Sequence, residues 1–279
     1  MSEKVGFIGL GNIGGPMAER LLDHPGGLVV CDIDEAARGR FAAKGAETAA
    51  SAAEVIAAGA TVVSVMVRDD AQVRTVVDEL LATAAPGTVV AVHSTIRPET
   101  AEDLALVAGR SDVHVLDAPV SGGFMGAATG RLAVLLGGDE AVVDRCREAF
   151  AAFADKVVHF GPAGAGTRAK VARNLVTFAS FAAVGEALRL AEAAGLDLAA
   201  LGDVVRHSDA VTGGAGAIML RDVTAPLAAD DGLRPSFEHA LALGQKDLDL
   251  ALAMAAEAGL DLPLTALARQ HLAAALGLS

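Results

Sequence analysis

Four clusters in this sequence combine residue types and spacing that chemistry can use. Lys170 and Asn174 stand four apart in the run Gly164-Ala165-Gly166-Thr167-Arg168-Ala169-Lys170-Val171-Ala172-Arg173-Asn174, so on a helix their side chains share one face. An amine beside a carbinol hydroxyl can take its proton during oxidation and return it during reduction, if burial lowers its pKa toward working pH. Asn174 can orient that amine or bind the hydroxyl itself. Ser121-Gly122-Gly123 can form a backbone nest that holds a carboxylate, although the tripeptide also reads as an ordinary strand-to-loop turn. Gly9-Leu10-Gly11-Asn12-Ile13-Gly14 has dinucleotide-loop spacing, and Asp32 follows Gly14 by 18 residues, near the place of a ribose-binding acid. Lys246-Asp247 is an adjacent charge pair in the mostly apolar 241–252, which also holds Gln245 and Asp249; it reads equally well as a solvated helix end.

The elements around these residues place them at strand ends and helix starts. Lys4–Ile8 reads as a strand, the glycine loop follows at once, and Gly15-Pro16 opens a helix in whose first turn a missing N–H costs little. Leu28–Cys31 is a second strand ending at Asp32. The Asp32 carboxylate would accept from a ribose 2′-OH and repel a 2′-phosphate. NAD is therefore favoured, while nearby Arg38 and Arg40 keep NADP possible. Strands at 61–67, 88–92, 113–116, 132–136 and 157–160 alternate with helices, the pattern of a mostly parallel doubly wound sheet. Such sheets bind ligands at the C-terminal ends of their strands, which selects the polar and glycine-rich ends Arg68-Asp69-Asp70, His93-Ser94-Thr95, Asp117–Gly123 and Gly137-Gly138-Asp139.

After Pro162 the pattern becomes wholly helical. The expected organisation is a dinucleotide-binding domain over 1–162 and a helical substrate and oligomerisation domain over 163–279, opening with an interdomain helix at 163–194. No charge follows Asn174 until Glu186, which predicts a helix buried nearly all round. Further helices are expected from Asp197 to about His207, from Ser236 to about Ala258, and over 264–276.

Composition narrows the function classes. The 279-residue chain has room for two cores. Its net charge of −13 argues against a nucleic-acid partner. The hydrophobic fraction is 53%, but no uncharged run reaches the roughly 18 apolar residues of a membrane span. With no basic, apolar leader at its start, the chain is expected in the cytoplasm, off the membrane. Two distant cysteines, Cys31 and Cys146, read as buried small hydrophobes. No metal motif is present.

Together these residues resemble the β-hydroxyacid dehydrogenase family, and the resemblance covers nearly the whole chain. Phe7–Ala18 is similar to the family's cofactor signature and Asp117–Gly123 to its substrate signature. Gly164-x-Gly166-x-x-x-Lys170-x-x-x-Asn174 is similar to its catalytic signature, and Lys246-Asp247-Leu248 to its late cofactor-side motif. The resemblance implies a Rossmann domain, a long interdomain helix and an all-α C-terminal domain, assembled as a homodimer or homotetramer. It implies Lys170 as general acid/base, Ser121, Gly122 and Gly123 as the carboxylate anchor, and Asn174 and Ser94 at the substrate. Gly9 to Gly14, Asp32, Val67, Ser94, Lys246 and Asp247 fall to the cofactor. Arg68 and the pair Val92-His93 depart from the usual family residues; His93 reads as a strand-end histidine bonded to backbone. Arg168 points about 200° from Lys170 on a helix, toward solvent. Arg206–Gly214 matches no substrate motif.

The expected activity is NAD(P)-dependent interconversion of a small 3-hydroxy acid, 3-hydroxyisobutyrate-like, with its semialdehyde or 3-keto acid. An imine reductase is the alternative enzyme, although such enzymes usually carry another residue where Lys170 stands. A non-catalytic NAD(P)-binding protein is the alternative outside enzymes.

Overall fold

Valine-rich runs without alternation need apolar cover on both faces, and the first part of the chain supplies it. In the computed structural model, which describes residues 2–279, the chain divides into two units, Met1–Arg173 and Asn174–Ser279. The first unit carries a six-stranded sheet of β1 (Val5–Ile8), β2 (Leu28–Cys31), β3 (Glu47–Ala49), β4 (Val62–Val65), β5 (Val89–Val92) and β6 (His114–Asp117). All pairings are parallel, and the spatial order β3-β2-β1-β4-β5-β6 puts the reversal of winding between β1 and β4. That crevice is where a doubly wound sheet takes a dinucleotide. β1, β2, β4 and β5 are buried along their whole length. One core, around Phe7, Met17, Phe150 and Phe153, covers one face of the sheet. A second, around Val55, Val73, Val77 and Leu80, covers the other.

The crossing helices are α1 (Gly14–Glu19), α2 (Glu35–Ala42), α3 (Ala52–Ala57), α4 (Asp70–Leu81) and α5 (Pro98–Gly109), followed by α6 (Gly123–Thr129) and α7 (Glu140–Ala151). Asp34, Ser51, Asp69 and Asp139 cap four of them by accepting from N–H groups of the first turn, which satisfies donors that a helix start leaves open.

The expected single sheet proves to be two. Leu132–Leu136 (β8) pairs antiparallel with β7 (Val120–Ser121) and parallel with β9 (Ala154–His159), in a separate three-stranded sheet. β3 and β7, of three and two residues, are too short to show a period, and the sequence reading passed over both.

The second unit is helical. Helix α8 (Ala165–Ala193) begins in the first unit and runs into the second, where α9 (Leu198–Thr212), a 3-10 turn at Gly214–Ile218, α10 (Arg234–Glu257) and α11 (Pro263–Ala275) follow. The division into compact units falls after Arg173, inside α8. Helix α9 runs past His207 to Thr212, where Gly213 in a left-handed conformation ends it. Glu186 of α8 accepts from the N–H groups of Leu264 and Thr265, each at 2.8 Å, and so caps α11.

One expectation about α8 fails. Leu175, Phe178 and Phe181 are 70%, 63% and 63% exposed, so the helix is not buried nearly all round. Twenty-nine residues make a helix longer than the remaining helices of the second unit can cover on every side, and an apolar face is left open.

Candidate active site

The glycine loop leaves β1 and turns into α1. A Cβ on Gly14 would lie 2.1 Å from the Gly9 carbonyl oxygen, so only glycine permits this approach of helix to strand. A Cβ on Gly11 would meet nothing within 4 Å; this position faces open space of the kind a pyrophosphate needs. Asp32 ends β2 with Oδ2 accepting from the Leu10 N–H at 2.6 Å and Oδ1 from the Asp34 N–H at 2.8 Å. The acid is thereby locked to the loop. Arg38 donates to the Asp32 carbonyl oxygen. A cavity of about 490 Å³ is lined by Gly9, Gly11, Asp32, Ile33, Val67 and Arg68, among others. Its open glycine face and fixed acid fit the adenosine half of a nicotinamide dinucleotide. Arg68 is held by Asp69 at 3.0 Å and is 80% exposed.

The ends of β4 and β5 are stapled together. The Ser94 hydroxyl accepts from the Val67 N–H at 3.0 Å and donates to the Val67 carbonyl oxygen at 2.6 Å. Its only proton is thus committed, and Ser94, which is buried, sets the position of Val67. His93 is also buried, with Nδ1 at 2.8 Å from the Ala118 carbonyl oxygen and Nε2 at 3.0 Å from Ser64 Oγ. In the neutral ring Nδ1–H donates to the carbonyl and Nε2 accepts from the serine. Phe7, Phe150 and Phe153 surround the imidazole. Burial, opposed only by the Ala118 carbonyl, lowers its pKa to about 4. His93 is a structural strut beneath the loop 118–123, bonded to backbone as its position suggested.

Asp117 is the hinge between that loop and α8. It ends β6, is 1% exposed, and accepts from the Gly164 N–H at 2.8 Å and the Thr167 N–H at 2.6 Å. This carboxylate caps α8 from a distant strand, where a helix start favours negative charge. Helix and strand touch closely: a Cβ on Gly166 would come within 2.3 Å of the Leu135 carbonyl oxygen. One turn further on, Lys170 is 8% exposed. Burial first, and the Arg173 guanidinium second, lower its pKa to about 8. Four residues beyond Asp117, Ser121-Gly122-Gly123 turn off β7 with φ of +132° at Gly122 and +60° at Gly123, conformations that favour glycine. Arg168 points elsewhere, to Glu102 at 2.7 Å.

The structure thus gathers Gly9–Gly14, Asp32 and Val67 on one edge of the first unit, and ties Ser121–Gly123 and Lys170 to the two sides of Asp117. Asn174 follows Lys170 by four residues on α8. In the second unit Lys246 and Asp247 pair at 3.0 Å on α10, both well exposed. The sequence reading missed the part played by two residues. Asp117 stands out in the sequence as a strand end and part of a signature, but not as a helix cap, because its partners lie 47 and 50 residues away. Arg173 was passed over although its spacing of three from Lys170 was open to view.

Comparison with known proteins decides the family. Residues 4–161 match the family model for the NAD binding domain of 6-phosphogluconate dehydrogenase, and residues 164–278 match that for the NAD-binding of NADP-dependent 3-hydroxyisobutyrate dehydrogenase. The chain belongs to the β-hydroxyacid dehydrogenase family. It is an NAD-dependent oxidoreductase of that family. An uncharacterized oxidoreductase of Mycobacterium tuberculosis H37Rv is 55% identical over 277 residues, 98% of this chain and 93% of its own. The crystal structure of a presumptive oxidoreductase from Mycobacterium avium 104 superposes with a TM-score of 0.96 at 52% identity, covering 99% of each chain. The 3-hydroxyisobutyrate dehydrogenase of M. tuberculosis with L-serine has a TM-score of 0.69 at 35% identity, over 98% of this chain and 93% of that one. An imine reductase from Myxococcus stipitatus has a TM-score of 0.77 over 99% and 94% of the two chains, but at 17% identity it shows the shared fold alone. Among the described residues no helix is long and apolar enough to cross a membrane.

Proposed function

We propose that this enzyme oxidises a small 3-hydroxy acid, of the size of 3-hydroxyisobutyrate, to its semialdehyde or 3-keto acid, with NAD favoured over NADP. The observation that carries the reading is Lys170, buried at the start of α8 with its pKa lowered to about 8. An amine so placed is partly unprotonated near neutral pH, and can act as base in oxidation and as acid in reduction. Ser121, Gly122 and Gly123 anchor the substrate carboxylate, which fixes the distance from carboxylate to carbinol and selects a 3-hydroxy acid. When bound, the nicotinamide accepts the hydride from the carbinol carbon. Lys170 takes the hydroxyl proton, and Asn174, on the same helix face, orients the hydroxyl. The backbone of Gly9 to Gly14 receives the pyrophosphate, Asp32 the ribose, and Val67, placed by Ser94, walls the cofactor cleft. Lys246 and Asp247, on α10, are assigned to the cofactor by the motif they resemble. A related crystal structure contains 3-hydroxyisobutyrate dehydrogenase with L-serine, and both named compounds carry a hydroxyl on carbon 3 of a carboxylic acid, which supports the substrate class.

The assembly proposed is a homodimer or homotetramer. Leu175, Phe178 and Phe181, all exposed within one chain, form an apolar stripe at helical spacing that a second copy would cover. Light scattering that finds a monomer at micromolar concentration would remove this part. For the reaction, Lys170→Ala should keep NAD binding and lose turnover by several orders of magnitude. Near-normal turnover by that variant sinks the assignment. A panel of 3-hydroxy acids and cyclic imines, followed at the nicotinamide absorbance with NAD and with NADP, tests the substrate class. Turnover of imines without hydroxy acids would replace this reading by the imine-reductase one.

A further inference from the structure

A cavity of about 410 Å³ opens beside Ser121 and Gly122, with Leu135 and Phe160 among its apolar residues and Arg131, Asp155 and Arg173 as its charged ones. Arg131 and Asp155 lie 3.4 Å apart and offset one another. Arg173 is the third charged residue of this lining, in the same cavity as Ser121 and Gly122. Helix α8 delivers this guanidinium three residues after Lys170, on the same side of the helix. At that spacing the charge of Arg173 helps burial lower the Lys170 pKa. The first turn of α8 is clamped by Asp117, which also leads into the strand carrying Ser121, so backbone nest and arginine are held to one frame.

We propose that Arg173 is the charged half of the substrate-carboxylate site: its guanidinium and the Ser121–Gly123 backbone close on one carboxylate of the substrate. The inference rests on the reading that this backbone nest receives the carboxylate. The physical reason is a division of labour. Backbone N–H groups are neutral donors that fix position, whereas a guanidinium supplies full charge and a planar fork matched to a carboxylate. A cation beside the basic lysine also favours an anion over a neutral analogue at the same site. Arg173 is thus a specificity residue that excludes esters, amides and simple alcohols.

The test is a binding titration that does not require turnover. 3-Hydroxypropionate and its methyl ester are titrated into the enzyme–NADH complex of wild type, Arg173→Gln and Arg173→Lys, followed by NADH fluorescence. The acid should bind Arg173→Gln about 10- to 100-fold more weakly than wild type, as expected for loss of a charge-assisted contact. Arg173→Lys should fall between the two, and the ester should bind all three alike. Unchanged NADH affinity serves as the control for folding. Equal affinity of wild type and Arg173→Gln for the acid overturns the proposal, as does failure of wild type to bind the acid. Binding by wild type without turnover of any 3-hydroxy acid removes the proposed reaction and leaves the carboxylate site standing.

Discussion

Replacing Asp117 should uncouple the start of α8 from the sheet. Its carboxylate accepts from Gly164 N–H and Thr167 N–H at 2.8 and 2.6 Å, and the residue is 1% exposed. Asp117→Ala leaves both donors buried and unpaired, at about 1–3 kcal/mol each, and removes the buried carboxylate that accepts from the helix start. The expected loss is about 3–5 kcal/mol of unfolding free energy. Asp117→Asn keeps one acceptor and turns an amide N–H₂ toward the other donor, so about 2–4 kcal/mol should go. Thr167→Val is the control. It keeps the backbone N–H and deletes a buried hydroxyl that has no hydrogen-bond partner among the described residues, so stability should hold or rise. Lys170 follows one turn later, and displacement of a reacting group by about 1 Å can cost about 100-fold. Urea unfolding monitored by circular dichroism and kcat with saturating NAD are the assays. An Asp117→Ala protein that loses under about 1 kcal/mol and keeps kcat within about threefold would refute the coupling.

Three further outcomes are expected. With the Lys170 pKa lowered to about 8, kcat/KM for oxidation should rise with pH as the amine loses its proton and level off above about pH 8; a flat profile from about pH 6 to 10 contradicts this. His93, held at about 4 in the folded chain against 6.5 when free, contributes stability that is present above about pH 6.5 and is lost as pH falls toward 4, because the unfolded chain takes up the proton first. The drop should approach about 3 kcal/mol, and a His93→Gln variant with the same acid slope in denaturant titrations would show that other groups cause it. Asp32→Ser should move the kcat/KM ratio of NAD to NADP toward NADP by about 10-fold or more, since the carboxylate that repels a 2′-phosphate is gone; an unmoved ratio assigns cofactor choice elsewhere.

The two units differ in how they treat apolar surface. In the first, strands such as Val62–Val65 and Val89–Val92 are sealed on both faces by the chain itself. In the second, α9 and α11 contain no fully buried residue, and Phe178 and Phe181 touch mainly as an exposed edge-to-face pair with centroids 5.8 Å apart. That contrast is the physical ground for expecting this half to find its remaining cover in another copy.

Much of the molecule was legible in the amino-acid order because the information is local. The spacing of glycines 9, 11 and 14, the acid 18 residues later and the alternation of strands and helices all lie within a turn or a βαβ unit. The same holds for the spacing of four between Lys170 and Asn174. What the tertiary structure decided is pairing between residues far apart in the chain. Asp117 reaches the start of α8, His93 finds Ala118 and Ser64, the Ser94 proton is spent on Val67, and Arg173 comes to line one cavity with Ser121. No periodicity encodes such partners, because a buried donor specifies only that an acceptor must exist, and the folded backbone chooses which one. Helix α8 shows the same limit from the other side: its composition required apolar cover, and only the folded chain revealed that its own residues do not supply all of it.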